Sequence, residues 1–428
     1  MQKSLDWQRM NNKGTMEQKN KLIPELRFPE FVKDGEWIEE KLGVLSNVII
    51  GGTPSTTVEE YWNGNIGWIG SGELKNDLIK SPTKYITELG LKKSSTYLLP
   101  KDTTVLAMTG ATLGKIGYLT FECCGNQSVA GFVNLKNLNS KYLYYQLQNQ
   151  TKQIFSFAGG GAQAGINKYN IENILLQIPQ KIDVENKEQK KIADCLSSLD
   201  ELITAHNDKL ETLKNHKKGL LQNLFPQENQ KVPNYRFPEF VNDEEWEERK
   251  LGEVASFING RAYKQEELLD NGKYRVLRVG NFFTNNSWYY SNLELDNDKY
   301  CDNGDLLYAW SASFGPRIWN GEKVIYHYHI WKVIESLNIN KTFLFVLLDN
   351  ETERMKSQNA NGFALLHITK GTIENWKCYI PKSKKEQQKI AECLTAVDNL
   401  ITAQTEKIEQ LKAHKKGLMQ GLFPKIEE

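Results

Sequence analysis

Two stretches of the chain place an apolar residue at every third or fourth position: Ile192, Leu196, Leu199, Ile203, Leu210, Leu213, Leu220 and Leu224 in one, and Ile390, Leu394, Val397, Ile401, Ile408, Leu411, Leu418 and Leu422 in the other. That spacing is a narrow heptad seam on an α-helix, not the broad stripe of a helix lying on a core. Ser383 with Glu386 reads as a capping box opening the second helix, and Pro226 and Pro424 close the two. A helix from Glu188 to Leu224 is about 55 Å long, too long for one small domain, so it needs a partner helix. The polar residues His206 and Gln404 interrupt the two seams at equivalent places and predict the centre of an antiparallel pair, with Cys195 and Cys393 toward opposite ends. Elsewhere, short alternating runs such as Thr104 to Met108, Lys115 to Leu119, Tyr274 to Val279 and Lys323 to Tyr328 lie between turn signals and predict strands.

The helical stretches are copies of one another. Lys187 to Pro226 aligns without gaps on Lys385 to Pro424, with about 26 of 40 positions identical. A second repeat, Arg27-Phe28-Pro29-Glu30-Phe31 with Trp37 and Lys41-Leu42-Gly43, recurs as Arg236 to Phe240 with Trp246 and Lys250-Leu251-Gly252. The frame is duplicated and the inserts between its parts have diverged. The expected organisation is a flexible extension at 1–22, a mixed domain at 23–185, a spacer helix at 186–226, a second mixed domain at 227–384 and a second spacer helix at 385–424. The fold class is α+β: two mixed domains rich in strand, joined and separated by two long helices in an antiparallel coiled coil, with pseudo-twofold symmetry.

With 428 residues and 39% hydrophobic composition, there is material for two or three cores. No apolar run approaches a membrane span and the N-terminus has no signal-peptide core, so the expected location is the cytoplasm. Six Cys without a CxxC pair fit reduced thiols better than zinc or a disulfide framework. Several motifs resemble catalytic ones without meeting their requirements. Phe157 to Gly161 matches a methyltransferase FxGxG loop but follows no apolar strand, and no Asn/Asp-Pro-Pro-aromatic motif accompanies it. Gly110 to Ile116 is one residue short of a P-loop and has Ile where a magnesium-binding hydroxyl belongs. Glu185-Asn186-Lys187 and Glu248-Arg249-Lys250 have the ExK spacing of some nucleases but no partner Asp, and His327 with His329 reads as a pair of ordinary polar residues on one face of a strand.

The net charge of +1 comes from 54 basic and 53 acidic side chains, so a polyanion would have to be met by local patches. From Lys92 to Lys181 there are nine Lys against three acids. Within that stretch Thr109, Thr112 and Lys115 sit on a glycine-rich turn with hydroxyls, backbone N–H groups and a cation suited to groove or backbone contact. In the second insert Arg261, Arg275, Arg278, Asn281, Arg317 and Lys323 interleave with Trp288, Tyr289, Trp310 and Phe314. Arg and Asn can read guanine and adenine edges bidentately, and aromatics can stack or wedge.

Taken together, Arg27 to Phe31 with Trp37 and Leu42-Gly43, Gly51-Gly52-Thr53-Pro54-Ser55, Asp102 to Lys115, Asn126 to Gly131, Gly304 to Ser311 and both KKIAxCL and LKxHKKGLxQxLFP helices resemble the specificity subunit of type I restriction-modification systems, over residues 23 to 424. The resemblance implies a non-catalytic subunit with two target recognition domains, each reading one half of a bipartite double-stranded DNA sequence. It implies docking of two adenine methyltransferase (modification) subunits on the helices, with Lys217, Lys218, Lys415 and Lys416 as candidate contacts, and recruitment of restriction/translocase subunits. S-adenosylmethionine, ATP and magnesium would belong to those partners, with no cofactor in this chain, no catalytic residue and no membrane. Candidate DNA-binding residues are then Thr53, Ser55, Thr109, Thr112, Lys115, Arg261, Arg278, Asn281, Trp310, Ser311 and Arg317. The first insert is about ten residues longer than the second, so the two half-sites should differ. The competing readings are a stand-alone sequence-specific DNA-binding regulator with an intramolecular coiled coil, and a scaffold whose inserts bind protein or glycan.

Overall fold

The computed structural model describes residues 22–158, 165–181, 186–283, 285–311, 314–358 and 368–425. Most of the expected extension, and Gly159 to Gly161 of the methyltransferase-like loop, lie outside them. The chain divides into two compact units, one of residues 1–206 with 407–428 and one of residues 207–406. This division is not serial: each unit takes the start of one long helix and the end of the other.

In the first unit a five-stranded sheet runs in the order Asn47–Ile50, Val129–Val133, Thr104–Ala107, Ile116–Leu119, Asp77–Ile79. A four-stranded sheet of Lys84–Ile86, Trp62–Ile69, Cys123–Gly125 and Leu98–Leu99 accompanies it. The strands expected from alternation are present, but Thr104–Ala107 and Ile116–Leu119 are buried at every position. The period of two survives as a division between cores: Leu106, Ile116 and Tyr118 enter one, and Val105, Ala107 and Leu119 the other. The second unit repeats the plan with sheets of Ala255–Asn259, Ile330–Glu335, Leu306–Ala309, Gly315–Ile318 and of Tyr289–Ser291, Tyr274–Leu277, Val324–Tyr326, Tyr300–Cys301.

The long helices are Lys187–Leu224 and Lys384–Leu422. In the first unit Ile192 and Leu196 share a core with Leu418, Leu422 and Phe423, while Lys415 Nζ donates to Asp200 at 2.6 Å, so the two helical segments run antiparallel. The second unit repeats this with Ile390 and Leu394 against Leu220, Leu224 and Phe225, and Lys217 against Asp398 at 2.8 Å. Burial recurs in a 3-4 rhythm at 196, 199, 203, 206, 210, 213, 217, 220 and 224, so Lys217, and by the same rhythm Lys415, sit in the seam. Glu386 does not close the expected capping box. Its amide donates weakly to Ser383 Oγ at 3.4 Å, but its carboxylate accepts Arg236 Nε and Nη2, both at 2.8 Å, and Trp246 Nε1 at 3.2 Å. In the first unit Glu188 takes Arg27 in the same bidentate way, at 2.7 and 2.9 Å. The duplicated Arg-Phe-Pro segments are thus pinned to the helix starts by buried forked ion pairs. No helix among the described residues is long and apolar enough to cross a membrane.

Candidate nucleic-acid interface

In the first unit three separate loops meet. Gly51 N donates to Val129 O and Gly52 N to Gly125 O, which draws Gly51–Ser55 against the turn Asn126-Gln127-Ser128. Met108 N donates to Ser128 O at 2.8 Å, bringing in the Thr109–Lys115 hairpin loop. Side chains complete the junction: Thr53 Oγ1 donates to Gln127 Oε1 at 2.6 Å and Thr109 Oγ1 to Ser128 Oγ at 2.7 Å. Only glycine fits at 51, where a Cβ would lie 2.2 Å from the Gly125 carbonyl. The Gly110–Thr112 turn joins two antiparallel strands, Thr104–Ala107 and Ile116–Leu119. It is therefore a hairpin and lacks the helix that a phosphate-binding P-loop opens. Its tip carries an exposed Thr109, a half-buried Thr112 and an exposed Lys115. Ser55 Oγ turns to Thr57 Oγ1 at 2.9 Å.

The second unit builds the same junction from different residues. Arg261 N donates to Tyr326 O, His327 N to Leu277 O, and Trp310 N to His329 O, as Gly52 N does to Gly125 O, Asn126 N to Ile69 O, and Met108 N to Ser128 O. Gly260 stands where Gly51 does, a Cβ there lying 2.4 Å from the Tyr326 carbonyl. His327, Tyr328 and His329 are a bridge and turn between two strands, not the run of one strand read from the sequence. The burial sequence from Cys123 to Val129 repeats position for position from Val324 to Ile330, with Gln127 and Tyr328 as the exposed central residues.

The candidate side chains fall into groups. Arg261 is held by Glu267 through two bonds of 2.8 and 2.7 Å, and this pairing, with a backbone N–H from Lys264, pulls the Glu267 carboxyl down to about 2. Its fork is occupied within the chain. Arg278 lies 4.2 Å over the Tyr289 ring, and its buried Nε has no hydrogen-bond partner among the described residues. Burial first, then His329 and Arg278, depresses His327 to about 4, so it is neutral at pH 7. Asn281 Nδ2 donates to the carbonyls of Asn285 and Ser287 and shapes its own loop. Trp310 stacks on Trp331 at 5.7 Å and donates through Nε1 to Tyr328 O at 2.8 Å, so it supports the turn. Ser311 is buried beside it, and Arg317 lies on the adjacent strand with its guanidinium 5.8 Å from the Phe282 ring. Arg275 pairs with Glu322, and Lys323 covers Tyr300, away from this turn's bonding scheme. Part of the lysine excess is neutralised locally, Lys181 by Asp34 and Lys168 by Glu172. On the helices Lys218 and Lys416 are exposed, whereas Lys217 bridges Asp349 and Asp398, and Lys415 bonds Asp200 beneath the Tyr145 ring.

Sequence reasoning did not select Asn126, Gln127, Ser128, His327, Tyr328 or His329 as site residues. The Asn126 to Gly131 motif was a signal for the first turn. The second has no residue in common with it and is matched by its backbone bonds and its burial pattern.

The type I restriction modification DNA specificity domain family matches residues 34–215 and again 243–413. The type I restriction enzyme MjaVIII specificity subunit of Methanocaldococcus jannaschii is 27% identical over 415 residues, covering 93% of either chain. Among solved structures, the type I restriction-modification S subunit from M. genitalium aligns with a TM-score of 0.60 at 17% identity, over 95% of this chain and 100% of that one. A chain from a structure on complex assembly and conformational transition of the type I R-M system aligns at 0.56 and 15% identity, over 91% and 97%. With a specificity domain matched in each half and the same frame built twice, the chain belongs to the type I restriction modification DNA specificity family.

Proposed function

We propose that this specificity subunit reads a bipartite DNA target, one half-site per unit, and leaves the chemistry to two docked adenine methyltransferase subunits and to restriction subunits that carry ATP and magnesium. The observation that carries the reading is the shared junction. Both units hold three loops together through the same backbone bonds, yet the exposed residue at the centre of the turn differs: Gln127 in one, Tyr328 in the other. A constant frame with divergent tips suits a molecule that approaches the same duplex twice and reads different bases each time. Lys115, Arg278 and Arg317 supply cations for phosphate or guanine. The exposed Lys218 and Lys416 fit a docking role better than their seam-bound neighbours. S-adenosylmethionine would sit on the modification subunits.

The test is methylome sequencing of a host carrying the chain with its modification and restriction subunits, paired with mobility shifts of the chain with and without modification subunits. The expected result is methylation at two short half-sites separated by a fixed, unread spacer, with tight binding only in the assembled complex. A continuous motif, or equal and tight binding by the chain alone, would refute it and favour a stand-alone regulator.

A further inference from the structure

Gln127 has an unusual setting for an exposed amide. It is the central residue of the Asn126-Gln127-Ser128 turn, whose ends are fixed: Asn126 N is bonded to Ile69 O, Asn126 Oδ1 accepts Ser128 N at 3.0 Å, and Ser128 O accepts Met108 N. Its side chain is held as well, by the 2.6 Å bond from Thr53 Oγ1 to Oε1. Thr53 is itself anchored, because the preceding Gly52 donates its N–H to Gly125 O and accepts the buried Trp68 Nε1 at 3.0 Å. An exposed Gln ordinarily samples many rotamers, and ordering it on binding is a cost. Here that ordering is already present before any ligand arrives.

The hydroxyl of Thr53 donates to one of the two lone pairs on Oε1. The second lone pair remains, and Nε2 makes no hydrogen bond among the described residues. An acceptor and a donor side by side on a planar amide match the N6 donor and N7 acceptor of adenine in the major groove, and the corresponding edge of guanine, with two acceptors, does not match.

We propose that Gln127, oriented by Thr53, is an adenine-reading residue of the first unit. Gln127 is the specificity-determining residue and Thr53 a positioning residue. Tyr328 stands at the same place in the second unit and offers one hydroxyl rather than an acceptor and donor pair, so the second half-site is read differently at the corresponding base. The inference rests on the function proposed above.

The experiment uses the complete complex in its host, with methylome sequencing and competition binding on DNA carrying each base at the affected position. Gln127→Ala should relax one adenine in one half-site, lowering discrimination there by about 5- to 150-fold, and leave the other half-site unchanged. Gln127→Glu, which only accepts, should move the preference at that position toward cytosine. Thr53→Val should reduce discrimination at the same adenine, and Thr53→Ser should restore it, a rescue that a merely structural role for the methyl group would not give. Because Gln127 is exposed, thermal unfolding of these variants should match the parent. An unchanged motif in Gln127→Ala, relaxation at a base other than adenine, or equal weakening on all sequences, as for a phosphate contact, would each overturn the proposal. A parent complex that methylates no two-part motif would overturn the proposed function itself, a result distinguishable from the others before any variant is made.

Discussion

Glu386→Ala is the sharpest perturbation of the frame. Its carboxylate and the Arg236 side chain are 1% and 7% exposed, joined at 2.8 Å, and the same carboxylate accepts the buried Trp246 N–H. Removing it leaves a guanidinium in the interior with two carbonyl partners, Asp243 O at 2.8 Å and Glu244 O at 3.1 Å, and strands an indole donor. Breaking one side of a buried pair costs about 3–5 kcal/mol because the surviving charge stays uncompensated. At about 2 kcal/mol per molar of urea, the midpoint for the second unit should fall by about 1.5–2.5 M. Replacing both partners with apolar residues, Arg236→Met with Glu386→Leu, removes the stranded charge and should recover more than half of that loss. Urea unfolding followed by fluorescence and by far-UV circular dichroism reads both variants. A drop below about 0.3 M for Glu386→Ala, or a double variant no better than the single one, would refute the claim that the helix start is held by charge pairing in a dry site.

Other outcomes follow from the same geometry. Lys415→Ala should destabilise by about 1–3 kcal/mol by leaving Asp200 with the Tyr145 hydroxyl but no cation, whereas Lys416→Ala, one residue along on the exposed face, should stay within about 0.5 kcal/mol, both by chemical denaturation. His327 should titrate at about 4 by NMR. Its folded-state value is depressed from 6.5, so its contribution to stability is complete above 6.5, declines as the pH falls and is lost by about 4; an NMR value at or above 6 would refute its burial. Gly260→Ala should disrupt the second junction, since the added Cβ meets two backbone carbonyls, and should abolish methylation of sites requiring the second half-site while leaving first-unit binding. Inserting four residues in Leu202 to Ala205 adds about 6 Å of helix and should lengthen the preferred spacer by one or two base pairs with both half-sites kept; an unchanged spacer by methylome sequencing would refute the helices as a ruler.

The helices were legible because their signal is periodic and local: Leu196 and Leu394 declare a seam whatever surrounds them. The strands were legible as elements but not as layers. Val105 and Leu106 are equally apolar, and only the presence of a core on each face explains why neither is solvated. The charged candidates were the least legible. Arg261 and Lys217 read from the sequence as free cations, yet Glu267 and Asp398 reach them, the second across 181 positions of chain. A composition count cannot see such pairings, because they depend on which loops the fold closes together. For the same reason Tyr328 escaped notice: it is equivalent to Gln127 only through the carbonyls and amides of its neighbours.

That dependence on backbone also says how such a molecule can change its target without losing its fold. At both junctions the loops are tied mainly by main-chain bonds: Gly52 N to Gly125 O and Met108 N to Ser128 O in one unit, Arg261 N to Tyr326 O and Trp310 N to His329 O in the other. Main-chain bonds are indifferent to side-chain identity except where a Cβ collides, and that exception is met by Gly51 and Gly260. Gln127 is exposed and contributes little burial, so exchanging it should cost the fold within about 0.5 kcal/mol, whereas Tyr328 is 38% exposed and its ring lies against Trp310, His327 and His329. The stability of each unit lies instead in its cores and in the Arg27–Glu188 and Arg236–Glu386 anchors, neither of which involves Gln127 or Tyr328. If Gln127 and Tyr328 read bases as proposed, the energy that holds the frame and the residues that choose the sequence are carried by different atoms, which lets one half diverge from the other while both keep the same junction.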